Sequence, residues 1–325
     1  MKDRAIDEFE SMFRNSVVPP VIIDQVPIDD VLLVASFSSV NGHALKVAME
    51  VARRHSAKVR IVFPLIEPHE DLVDETVQAG AELERLAGIL NEAGMPHQTH
   101  IERGEPEVVL DRICKEKRPD LVIVPSPIIP HSSLKRMKVL CAATEYLLID
   151  ADVPTMLIKN DRVPAAGVFA KVLMMFNGVA KDIRGFSLVF SLVDAGGSLK
   201  VLNILDQDVF DEEHEAMSKT TEMATQQASE AIQKTRRESL EKIVKKLKEV
   251  VTDRPYDVTG EFYAADPIEK TRSMIVGDYH SLLVVRPPDG RRHALASLAF
   301  SLAHEIDEVP VLALQSKDVV DPKSS

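Results

Sequence analysis

The residues best placed for chemistry are those that could gather an anion. Arg291 and Arg292 follow Gly290 and lie just before Ala294, Ala296 and Ser297, where an apolar helical pattern begins. A helix start carries unpaired amides and a partial positive charge, and two guanidinium groups beside it would add charge-assisted hydrogen bonds. Asn177 and Gly178 follow an apolar run at residues 172–176. Open parallel sheets place ligands outside the carboxyl ends of their strands, so this pair should lie close to the arginines. The competing reading is a Pro287-Pro288-Asp289-Gly290 turn with solvated arginines. A second basic stretch, Lys135, Arg136 and Lys138, follows Pro125, Pro127 and Pro130. Three prolines remove three amide donors, so no phosphate is expected against residues 125–136.

Other chemistries lack their residues. His97 and His100 are three apart on an expected strand and point to opposite faces, so one ion cannot take both. His304-Glu305 has no second His four residues on. Ser36, Ser38 and Ser39 sit in no Gly-x-Ser-x-Gly elbow. Gly196-Gly197 lies between a helix and a strand, the place of a helix C-cap. No catalytic and no metal-ligating residue is assigned.

The elements that would position these residues alternate. Residues 31–35, 59–63, 97–101, 121–124 and 154–158 read as strands, and helical patterns lie between them. The helical stretch over residues 71–93 stops at Gly94, and Glu105-Pro106 opens another helix, as Pro suits the first turn. This order implies right-handed βαβ crossovers and a parallel sheet covered on both faces. The order then repeats. Residues 172–176 match 31–35 at an offset of 141, Asp266-Pro267 matches Glu105-Pro106 at 161, Leu282 to Val285 match Leu121 to Val124 at 161, and Pro310 matches Pro154 at 156. A fixed order with two length changes predicts a duplicated domain. The extra length falls at residues 211–251, which hold neither Pro nor Gly. Their second half carries an apolar stripe (Ile232, Leu240, Ile243, Val244, Leu247, Val251), and their first half is polar. They read as a solvated helical extension or as an arm touching another subunit. Residues 183–193 are apolar nearly all round, so that helix should be covered by a domain or subunit contact.

The 325 residues favour two domains. The net charge of −12 repels phosphate backbones, and no Trp and four Tyr leave few base-stacking platforms, so no nucleic-acid partner is expected. No apolar run is long enough to span a membrane, the first residues do not resemble a secretory signal, and two cysteines suit a reducing cytoplasm.

The duplicated order resembles tandem universal stress proteins over residues 26–315. The resemblance rests on Ser36-Phe37-Ser38 and Asn177-Gly178-Val179 after the first strands, Gly104-Glu105-Pro106, Asp120-Leu121-Val122-Ile123-Val124, Thr144-Glu145-Tyr146, and Pro154-Thr155-Met156-Leu157 with Pro310-Val311-Leu312. It implies an α/β fold of two flavodoxin-like domains, each with a doubly wound, parallel five-stranded sheet, arranged as an intrachain pseudo-dimer. Residues 154–158 and 310–315 should then lie side by side. The implied organisation is an extension (1–25), a first domain (26–160), a second domain (168–316) with a helical insertion about 211–251, and a tail (317–325). Some members of the family bind ATP or AMP through a Gly-rich loop after the fourth strand. Here Pro125 and Ile128 fall at the two Gly positions and Cys141-Ala142 replaces Gly-Ser, so the first site reads as lost. The second half keeps Asn177, Gly178, Gly290 and Ser297, with Arg291 and Arg292 in place of lost amides and Ile204 where members meet adenine through backbone. The resulting reading is a cytoplasmic stress-response or regulatory protein without enzymatic activity, with a protein partner or self-association. The alternatives are an ATP or AMP sensor using the second domain only, and a nucleotide hydrolase.

Overall fold

Val31, Leu33 and Ala35 face one apolar layer while Leu32 and Val34 face another, and all five are buried. A strand buried on both sides needs no polar alternation, which is why this run is continuously apolar. The same holds for β4 and β9. The computed structural model in which these contacts are seen describes residues 26–66, 73–129, 142–176, 180–206, 222–252, 256–287 and 297–314.

The first half contains β1 (Asp30–Val34), α1 (Asn41–His55), β2 (Lys58–Leu65), α2 (Val73–Glu92), β3 (His97–Arg103), α3 (Pro106–Lys117), β4 (Leu121–Pro125), α4 (Ala142–Ile149) and β5 (Thr155–Ile158). The second contains β6 (Lys171–Met175), α5 (Ala180–Leu192), β7 (Ser198–Leu205), α6 (Glu222–Val250), β8 (Asp257–Ala264), α7 (Pro267–Asp278), β9 (Leu282–Val285), α8 (Leu298–Glu305) and β10 (Val311–Ala313). The ten strands form one sheet in the order β3-β2-β1-β4-β5-β10-β9-β6-β7-β8. Every neighbouring pair is parallel except β5 and β10, which run antiparallel with Leu157 opposite Val311 and Thr155 opposite Ala313. Two doubly wound five-stranded sheets are thus fused edge to edge, as the resemblance implies.

Helices cover both faces. One apolar layer takes α1, α2, α5 and α6, the other α3, α4, α7 and α8, and each runs across both halves. Matching helices begin and end alike. Pro106 and Pro267 open α3 and α7, and Asp266 caps α7 by accepting from the Glu269 amide at 2.7 Å. Both helices stop at a residue in the left-handed region, Arg118 and Tyr279.

The apolar α5 makes the domain contact expected of it. Phe186, Val189, Phe190 and Leu192 are buried. At its carboxyl end, Arg54 Nη1 of α1 donates to the Leu192 carbonyl at 2.9 Å, His55 Nε2 lies 3.1 Å from the Ser191 carbonyl, and the Arg54 guanidinium sits 5.0 Å over the Phe169 ring. The long helix is described from residue 222 onwards. Its stripe buries Leu240, Ile243 and Leu247 against β7 and β8. Gly260 of β8 permits this approach, since a Cβ there would lie 2.5 Å from Val244 Cγ2.

Two outcomes are expected. Leu312→Ala removes a fully buried side chain at the seam and should cost about 2–5 kcal/mol in urea unfolding, in one transition because both halves share a sheet. Burial pushes the His55 imidazole below its ordinary value of 6.5, against the Ser191 carbonyl, which favours the charged form. The unfolded chain then binds more protons below about pH 6.5, so stability should fall as pH drops from 7 to 5. His55→Gln should shallow that fall without abolishing it, because His43 and His280 are shifted the same way.

Candidate functional site

In each half the chain turns opposite ways on either side of one strand pair, β1/β4 in the first and β6/β9 in the second. The crevice beyond the carboxyl ends of such a pair is where this architecture holds ligands.

The first crevice is filled by its own walls. The Phe37 amide donates to the Ile129 carbonyl at 3.3 Å, tying the exit of β1 to the exit of β4. Ile128 is buried in the apolar layer, and the Phe37 ring meets Phe63 edge-on at 4.9 Å. Asn41, the first residue of α1, folds back on this corner. Its Oδ1 accepts from the Ser36 amide at 3.3 Å, and its Nδ2 donates to the Ser36 carbonyl and to Glu82 Oε1. The Ser36 hydroxyl is buried without a partner among the described residues. Residues 130–141, which include Lys135, Arg136, Lys138 and Cys141, lie outside the described residues.

The second crevice is more polar. The Phe176 amide donates to the Leu202 carbonyl at 2.8 Å, and Asn203 Nδ2 donates to the Phe176 carbonyl. Asn203 is 1% exposed and its Oδ1 has no partner among the described residues. By strand register it stands where Phe63 stands in the first half. Arg286, directly after β9, is also buried, at the position matching Pro125. Of the residues expected here, Ile204 lies near the end of β7, buried and paired in register with Tyr263. Ser297 is the N-cap of α8, its Oγ accepting from the Phe300 amide at 3.2 Å. Asn177, Gly178, Gly290, Arg291 and Arg292 lie outside the described residues. Asn203 and Arg286 were not among the sequence candidates. The signal for Asn203 was an amide side chain inside the apolar run Leu202-Asn203-Ile204.

Residues 27–159 match the model of the universal stress protein family. That half of the chain belongs to this family. The second half repeats the fold of the first, strand for strand. A universal stress protein from Archaeoglobus fulgidus is similar in fold, with a TM-score of 0.61 at 14% identity, covering 88% of this chain and 96% of its own. A protein of unknown function from Pseudomonas aeruginosa PAO1 gives a TM-score of 0.54 at 18% identity, covering 89% of this chain and 92% of its own. No curated protein matches the chain. Among the described residues, no helix is long and apolar enough to cross a membrane.

A wider concavity of about 870 Å³ lies away from both crevices, between the second half of α6 and the free edge strand β8. Arg237, Lys245 and Phe262 are among its lining residues, with Arg237 over the Phe262 ring at 5.4 Å.

Asn41→Ala should destabilise the corner at the first crevice. It leaves the Ser36 amide and carbonyl buried without their side-chain partner, a loss of about 1–3 kcal/mol measurable by urea denaturation.

Proposed function

We propose that this chain is a tandem universal stress protein and a regulatory binding protein without catalytic turnover, whose first half has given up the family's nucleotide crevice. The observation that carries this reading is the closed corner at Phe37 and Ile129. A backbone hydrogen bond crosses the place where a ligand would enter, and Ile128 fills the space behind it. A nucleotide there would have to break that bond and displace a buried Ile, with no glycine amides offered in return. Regulation then works through protein contacts. The open groove between α6 and β8, beside an edge strand with unpaired backbone groups, is the surface that supports this.

A second reading is favoured by Asn203. A buried amide oxygen without a donor is costly, and a ligand N–H would satisfy it. Under this reading an adenine nucleotide, ATP or AMP, occupies the second crevice only, with Arg291 and Arg292 on its phosphates.

Calorimetry with ATP and AMP separates the readings. The regulatory reading expects no heat at millimolar nucleotide. The sensor reading expects one site per chain, weakened about tenfold or more by Arg291→Ala/Arg292→Ala. Two sites per chain, or equal affinity in wild type and variant, would contradict the assignment of the crevices.

A further inference from the structure

A groove of about 400 Å³ opens on the α3 side of the first half, across β1, β2 and β3, well before the strands reach their carboxyl ends. Its floor is apolar, with Leu32, Val62 and Ile113. Its walls are charged, with Asp30, Lys58, Arg60, His100, Glu102 and Lys117. Arg60 is 8% exposed. Its Nε donates to Asp30 Oδ1 at 2.8 Å, and Lys58 shares that carboxylate at 3.4 Å. Arg60 Nη2 is buried with no acceptor among the described residues. Glu102 is held by Arg112 at 2.6 Å, so it does not neutralise the lysines.

The second half shows how the same place is completed from within. Strand register makes Lys200 the counterpart of Arg60 and Glu261 the counterpart of His100, since Val62 pairs with His100 and Leu202 with Glu261. The equivalent helices α3 and α7 make Asp278 the counterpart of Lys117. Lys200 Nζ contacts Glu261 Oε1 and Asp278 Oδ2, each at 2.7 Å. Two carboxylates therefore close over the half-buried cation. In the first half the positions of those two carboxylates carry an imidazole and an ammonium instead. Asp30 meets part of the need, from the β1 side, where the second half has Lys171. The remaining guanidinium nitrogen has no anion.

We infer that the groove lined by Arg60, Lys58, His100 and Lys117 binds a small dianion whose charge is carried on oxygens, which supplies the oxygens that Glu261 and Asp278 supply in the other half. The fork of Arg60 and the flanking lysine ammoniums suit a phosphate monoester or a dicarboxylate, and the apolar floor takes the carbon skeleton. The site is separate from both crevices and does not depend on whether either holds nucleotide.

The test uses the full chain, with inorganic phosphate and succinate as probes and chloride at matched ionic strength as control. Phosphate, succinate or both should raise Tm more than chloride does and give saturable heat in calorimetry. His100 and Lys117 are exposed, so His100→Glu and Lys117→Asp, which install the carboxylates of the second half, should fold normally by circular dichroism. Each should weaken probe binding by about tenfold or more. A response to phosphate alone assigns the groove to phosphate esters, and one to succinate alone assigns it to dicarboxylates. No effect beyond chloride, or equal binding in the folded His100→Glu/Lys117→Asp protein, overturns the inference.

Discussion

The antiparallel pairing of β5 with β10 is the contact on which the rest of the molecule depends. Either strand alone would be the bare edge of a parallel sheet, short, apolar and open to any passing strand. Joined, Met156 faces Leu312 at the middle of a ten-stranded sheet, and both are fully buried. The pairing also fixes what lies above and below. Because the sheet is continuous, the apolar layers on its two faces are continuous, and α1 of one half comes to rest beside α5 of the other. Polar groups finish the join. Lys159, just beyond β5, donates to the carbonyls of His304 and Ile306 at the end of α8, where cations complement the helix dipole. Burial lowers its pKa to about 8, while Asp307, Glu305 and Glu308 pull the other way.

Once two copies share one chain, they need not keep the same interior. Phe63 and Asn203 occupy one position in the two halves, as do Pro125 and Arg286. The first member of each pair is apolar and removes hydrogen-bonding capacity from the crevice. The second adds it. A symmetric dimer of one domain could not hold both versions at once. The fusion lets one crevice become packing and the other stay polar, with the scaffold unchanged.

Much of this was legible in the sequence, for reasons that differ by element. The strands were readable because burial on both faces leaves unbroken apolar runs, as in β4 and β9. The helix starts at Pro106 and Pro267 were readable because Pro has few other places to go. The β5–β10 pairing came from the family resemblance, since no local pattern in either segment names its partner. The closed first crevice was half legible. Pro125 and Ile128 declared the loss of glycines, but the bond from Phe37 to Ile129 joins residues far apart in sequence and needs the fold to be seen. The role of Asn41 follows from a fold-back that no spacing encodes. Arg60 was invisible for another reason. On an edge-proximal strand a lone Arg reads as a solvated charge, and only the sheet reveals that it is buried.

The two halves differ in how freely their positions have changed, and the physics explains the difference. Helix ends are set by backbone needs. Arg118 and Tyr279 share a left-handed conformation although their side chains have nothing in common, because the chain must leave α3 and α7 by the same turn. Strand interiors are set by volume, so Leu32 and Leu173 or Val62 and Leu202 stay apolar. A buried charge is held to a looser condition. It requires only that opposite charge stand nearby, and does not specify which residue, or which molecule, brings it. Lys200 has its two carboxylates from β8 and α7. Arg60 has one from β1 and a groove where the second would be. Charge is therefore the property in which duplicated domains can part most readily, and a basic residue whose counter-charge lies outside the chain is where such a scaffold can acquire a ligand without altering its fold.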